Sequence, residues 1–201
     1  MNSEYTETTH STSVHNHALG HLGYIRETIE SSMSFTAIPG RAIALVGFTA
    51  IVAAWFASQA QSDFQWLMIW LAEAAIAFVT GSYAMIQKAR QADVSLLRGA
   101  GRRFLLSLSP PIVVAAFMTA VFYHHGLFHI MPGMWLLLFG VGVLSAGVFS
   151  VRPVPLMGFT FMACGVLTYV FPAAWSDVMM AIGFGIVLII FGFIIAQRYG
   201  G

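Results

Sequence analysis

Charge is what this sequence has least of. Only 8% of its 201 residues are Asp, Glu, Lys or Arg, where soluble domains carry about 25%. With 58% hydrophobic residues and a mean hydropathy of +0.80, a soluble globular domain is excluded. Cysteine is nearly missing as well. Cys164 is the only one, so a single chain cannot build a disulfide framework, a paired-cysteine redox centre or a Cys-rich metal site. The opening "MNSEYTETTHSTSVHNHALG" has no apolar core, and no cleavable signal peptide is expected from it. There is no serine nucleophile elbow, HExxH helix or pair of catalytic carboxylates. Gly99 and Gly101 lack the strand and the Lys-Ser/Thr pattern of a phosphate loop. These absences argue against an enzyme, imply no cofactor and give no reason to expect a nucleic-acid partner.

What the sequence has in abundance is long apolar runs. Crossing about 30 Å of hydrocarbon takes roughly 17 to 25 residues. Six runs reach that length: Ala42–Gln59, Phe64–Ile86, Phe104–Tyr123, Leu127–Phe149, Val154–Phe171 and Val178–Ala196. The expected fold is therefore all-α, a polytopic membrane bundle of six helices arranged as three successive hairpins. The basic residues agree with that count. Arg26 and Arg41 precede the first run, and Lys88, Arg90, Arg98, Arg102 and Arg103 separate the second from the third. Arg152 follows the fourth, and Arg198 follows the sixth. Six crossings place every one of them on a single side. Positive residues stay cytoplasmic, so both termini are expected inside, in a bacterial inner (plasma) membrane.

Residues 1–17 are polar and patternless, and are expected to be disordered. Over 18–38, Leu19, Leu22, Ile25, Ile29 and Met33 recur at helical spacing opposite Arg26, Glu27 and Glu30. That pattern fits an amphipathic helix on the membrane surface, or one that packs on a soluble partner. The six-helix bundle then occupies 39–201.

Within the spans one residue is out of place. Glu73 lies near the middle of "WLMIWLAEAAIAFVTG". A charged acid at a helix centre costs about 2.5–3.5 kcal/mol on insertion scales. No Lys or Arg lies within the spans to neutralise it, and the one histidine there, His129, stands at the start of the fourth. Ala77, Thr80 and Ala84 share its face, and small residues allow close helix packing, so Glu73 is expected to face a neighbouring helix. Thr49 and Thr119, at comparable depth, are the expected hydrogen-bond partners. The acid then either stays neutral as a clip between helices, or lines a wet cavity as a proton or cation site.

Two further clusters and one loop carry possible chemistry. Pro110 and Pro111 remove backbone donors inside the third run, next to Ser107 and Ser109. A broken helix of this kind can build a transporter site, or can simply kink. His124, His125 and His129 could gather a metal ion or sense acid. They lie across the membrane from His10, His15, His17 and His21. The loop holding Lys88, Arg90, Arg98, Arg102 and Arg103 suits anionic lipid headgroups or a docking protein.

"RAIALVGFT" and "RPVPLMGFT" open the first and fifth runs and form a faint parallel repeat. Gly158, Gly165, Pro172, Gly183 and Gly192 punctuate the last pair of runs. On that pattern, and on six helices in three pairs, the chain resembles the short-repeat membrane proteins of the HdeD type. The resemblance implies a stress-related membrane role without a defined reaction. The long polar N-terminus and the Pro-Pro step depart from the family. Two functions follow as expectations. The first is a non-enzymatic sensor, signalling or assembly component, able to form homo-oligomers through glycine-rich faces such as "GVGVLSAG". The second is a small proton- or cation-coupled transporter that uses Glu73.

Overall fold

The computed structural model describes residues 35–92 and 95–199. Residues 1–17, expected to form a disordered tail, and most of the amphipathic helix expected over 18–38 lie outside them. Regular structure among the described residues is helical, apart from one isolated bridge between Phe35 and Ser150. Six helices are long and apolar enough to cross a membrane. They are α1 (Gly40–Ser58), α2 (Asp63–Gln91), α3 (Gly99–His124), α4 (Phe128–Gly147), α5 (Pro153–Val170) and α6 (Ala173–Tyr199). Each falls on one of the six apolar runs. α2 continues a turn or more beyond the run, because Gln87, Lys88, Ala89 and Arg90 are good helix formers.

Local chemistry sets the helix ends. Ser62 caps α2 by accepting the backbone N–H of Gln65 at 3.2 Å. Pro132 and Pro153 stand in the first turns of α4 and α5, where a missing N–H costs nothing. Gly126, at φ +69°, makes the turn between α3 and α4, in a conformation open to glycine and few others. α3 runs unbroken through Pro110 and Pro111, with the Leu108 carbonyl pressed toward Gly142 on α4. α6 contains a π-helical stretch, Ala181–Val187, between α-helical segments.

The tightest packing joins α4 to α5 and α1 to α6. α2 lies chiefly against α1, and α3 against α4. Glycines explain the two tight pairs. Gly133, Gly140 and Gly147 on α4 recur every seven residues; the first two face Gly165 and Gly158 on α5, and the third meets Pro155. Gly40 and Gly47 on α1 face Gly192 and Gly185 on α6 at the same interval. A Cβ built on Gly158 would stand 2.5 Å from the Leu144 nitrogen, and one on Gly192 2.5 Å from the Ala44 nitrogen. Only glycine lets these backbones meet, as expected where van der Waals contact rather than the hydrophobic effect holds helices together.

These contacts also gather the helix ends. The α1 start, α2 end and α6 end meet through Lys88, whose Nζ donates to the carbonyls of Ile38 (2.7 Å) and Tyr199 (3.2 Å). The α3 start joins them through Phe35, whose ring packs tilted against Phe104 with centroids 5.0 Å apart and which binds the α4–α5 turn. Arg41, Arg90, Arg98, Arg102, Arg103, Arg152 and Arg198 belong to the same end of the bundle. Asp63, Asp177, His124, His125 and His129 belong to the other.

Candidate functional site

Burial is uneven around the bundle. Only 11% of the apolar window of α2 and of α3 is buried, against 39–50% for the other four helices. Between these two outlying helices lies a cavity of about 510 Å³, walled by all six helices. Val46, Ala50, Phe139, Met157 and Leu188 illustrate its apolar lining. Its polar side chains are few: Glu73, Ser82 and Thr119, with the indoles of Trp70 and Trp135. Among the described residues, no Lys, Arg or His stands in its wall.

Both ends of this cavity are shut. At the histidine end, Trp66 on α2 lies flat on Trp135 of α4, with centroids 5.5 Å apart and planes within 6°. Trp66 Nε1 donates to Asp177 Oδ1 on α6 at 2.7 Å. Trp135 Nε1 donates to Thr119 on α3 at 2.8 Å, and Thr119 donates to the Ala115 carbonyl. One chain of contacts thus ties α2, α3, α4 and α6 across that end. The π-helical stretch of α6 carries Phe184 beneath it, among Trp70, Phe139 and Phe161, with ring centroids 5.3 to 6.3 Å away.

At the basic end, the extended segment Phe35–Pro39 crosses the bundle as a strap. The Phe35 N–H donates to the Phe149 carbonyl, and Ser150 Oγ donates back to the Phe35 carbonyl, both at 2.7 Å. Phe35, Ala37 and Ile38 are buried, and Ile38 and Pro39 form part of the cavity wall. The last residues of the expected 18–38 helix are therefore extended, and held by backbone pairing that a helix would use up internally.

The remaining opening is lateral. Only five lining residues are exposed: Leu71, Ala74 and Phe78 on α2, and Ile112 and Ala116 on α3. They flank the gap between these helices at mid-helix, where a membrane-spanning bundle meets hydrocarbon rather than water.

Glu73 sits in this wall, only 7% exposed. Its Oε1 lies 2.8 Å from Thr49 Oγ1 on α1, and Thr49 Oγ1 is also 2.9 Å from the Val46 carbonyl. The hydroxyl owns one proton and faces two acceptors. Both contacts become good hydrogen bonds when Glu73 keeps its own proton: the acid donates to Thr49, and Thr49 donates to Val46. A carboxylate would instead compete with Val46 for the single hydroxyl proton. The geometry thus favours a neutral acid acting as a clip between α1 and α2.

The other residues singled out from sequence fall in different places. Thr119 shares the cavity wall but is engaged by Trp135. Thr80 lies on α2 outside the wall. Ser107, Ser109, Pro110 and Pro111 lie on α3, also outside it. The rings of His124 and His125 stand edge to face at 5.4 Å, and both are exposed, as is His129. Among the described residues no group of three His, Cys, Asp or Glu side chains is placed to hold a metal. Arg90, Arg98, Arg102 and Arg103 are exposed at the basic end. Lys88 turns inward to two carbonyls instead, a role that its place in a basic loop does not suggest. Sequence reading also missed the Trp66–Asp177 bond and the seven-residue glycine seams. The seams were detectable as a spacing across α1, α4, α5 and α6; the bond, 111 residues apart in sequence, was not.

Compared with known protein families, curated proteins and solved structures, the chain matches none.

Proposed function

We propose that this protein is a non-enzymatic, multi-pass inner-membrane component that serves as anchor or sensor in stress response, signalling or assembly, with both termini cytoplasmic. One observation supports the reading: Glu73, the one acid within the apolar part of the bundle among the described residues, is buried and clipped to Thr49, in a cavity with packed side chains at both ends. A transport pathway needs polar groups or water leading from each face to the coupling site. Here the path toward one face meets the stacked Trp66 and Trp135, and the path toward the other meets the buried strap. The gathered basic end supports the cytoplasmic placement through the positive-inside rule. Its exposed arginines supply a surface for anionic headgroups or a soluble partner. The HdeD-type resemblance is what suggests a stress-related role.

Two experiments separate this reading from transport. In proteoliposomes the wild-type protein is expected to give no proton, alkali-ion or divalent-metal flux above empty vesicles. Flux that Glu73→Gln abolishes would establish a transporter. In a cross-linking pull-down, deleting residues 1–33 is expected to abolish partner capture while the bundle still inserts. Unchanged capture would move the partner to the basic loop.

A further inference from the structure

The cavity is more specific than a clip requires. We propose that it binds an uncharged single-chain lipid that carries a hydroxyl or carbonyl oxygen at its head and enters from the bilayer between α2 and α3. Four observations converge on that chemistry.

The exposed part of the lining lies on α2 and α3 alone, at mid-helix, so the guest comes from the hydrocarbon and must be lipid-soluble. The walls are aliphatic and aromatic over about 510 Å³, inside the range of roughly 300–1,000 Å³ typical of small-molecule sites. The tryptophan-capped end carries one unmatched donor. Trp70 lines it, is 4% exposed, and its indole N–H has no hydrogen-bond acceptor among the described residues. Buried donors normally find a partner, and a head oxygen seated beside Trp70, one helical turn from Glu73, is the acceptor this site lacks. Finally, no cation among the described residues lines the cavity. A phosphate or a free carboxylate would enter uncompensated next to Glu73, which disfavours phospholipids and fatty acids. An alcohol or ketone head carries no such penalty.

This site stands independently of the anchor reading, since a sealed anchor and a transporter could both hold such a guest. Gly81 makes it testable. It lines the cavity, and a Cβ there would meet nothing within 4 Å, so Gly81→Leu starts a bulky side chain from open space in the cavity wall.

The full chain is reconstituted into phosphatidylcholine nanodiscs with a photoreactive long-chain alcohol, and labelled peptides are mapped by mass spectrometry. The same-length alkane and fatty acid serve as comparison probes. The alcohol is expected to label the cavity residues of α2 and α3, and unlabelled alcohol to compete with it. Gly81→Leu should cut that labelling at least fivefold. Trp70→Phe keeps a ring but removes the donor. It should weaken the alcohol about five- to tenfold, the value of one buried hydrogen bond, while leaving alkane labelling unchanged. Equal labelling by alkane, fatty acid and alcohol in the wild-type protein would overturn the proposal in favour of an unselective acyl slot. Labelling confined to lipid-facing positions such as Val79 and Val113, and indifferent to Gly81→Leu, would overturn the site itself. Should Gly81→Leu misfold, the Trp70→Phe comparison still decides.

Discussion

Helices α1 and α6, and likewise α4 and α5, meet backbone to backbone along glycine seams, whereas α2 is joined to the bundle largely by side-chain pins, and α3 by side-chain contacts with one backbone approach, of the Leu108 carbonyl to Gly142. The seams place Gly47 against Gly185 and Gly140 against Gly158, too close for any Cβ. α2 instead relies on Trp66 to Asp177, Glu73 to Thr49 and Lys88 to the Ile38 and Tyr199 carbonyls. α3 relies on Thr119 to Trp135 and on Phe104 against Phe35. The difference shows two ways to hold helices together where lipid tails are as apolar as the side chains. A seam gains dispersion along its whole length and leaves no space. Pins fix a helix at points and leave room between them, which is where the cavity lies.

The comparison breaks most sharply at a seam. Gly158→Val would drive a branched side chain into the Leu144 backbone, and backbone cannot yield as a flexible side chain can. The expected loss is about 3 kcal/mol or more, read as a large drop in the unfolding midpoint in detergent. Gly192→Val should behave alike, because it meets the Ala44 backbone in the other seam. A small effect at both positions would mean that the pairs separate readily and that the seams do not organise the bundle.

A pin should cost less. Lys88→Met keeps the aliphatic stem but removes a cation that serves two carbonyls. Hydrogen bonds to charged groups are worth about 1.5–3 kcal/mol, so destabilisation in that range is expected. Faster amide exchange should be confined to the basic end of α2. At the opposite end, Trp66→Phe removes the bond to Asp177 and part of the stack on Trp135, for about 1–2 kcal/mol. A double-mutant cycle with Asp177→Leu should return a coupling of roughly 1 kcal/mol. Coupling near zero would show that the two helices are not pinned there.

How much of this was readable beforehand depends on the range of the interaction. The six helices were legible because their length is set by bilayer thickness, and every residue in a run votes on it. Glu73 and Thr49 could be paired on depth alone, since 24 residues and one turn separate them. Trp66 and Asp177 could not, because nothing local marks an indole for a carboxylate on the last helix. Lys88 misled in the other direction. Its neighbours Arg90, Arg98 and Arg102 are exposed, and composition treats all basic residues of a loop alike, although Lys88 reaches the carbonyl oxygens of Ile38, just before α1, and Tyr199, at the end of α6. The cavity was hidden for a similar reason. Small residues on α2 read as a packing stripe, and only the tertiary fold shows that Ala74, Ala77 and Gly81 border empty space.

The smallest expected effect is at the residue that first draws the eye. If Glu73 is a neutral clip, Glu73→Gln preserves both its size and its ability to donate to Thr49, which can go on donating to Val46. Unfolding free energy should then change by under about 1 kcal/mol, while Glu73→Leu, which leaves the hydroxyl with one acceptor and no donor, should cost more than Glu73→Gln. If the carboxylate were ionised, the order of effects would invert. Glu73→Gln would then remove a buried charge that insertion scales place at about 2.5–3.5 kcal/mol, and the variant would be more stable than the parent by a comparable margin. The sign of the Glu73→Gln effect relative to the pins at Trp66 and Lys88 therefore separates a structural acid, which belongs with them, from one kept at a cost in stability for another purpose.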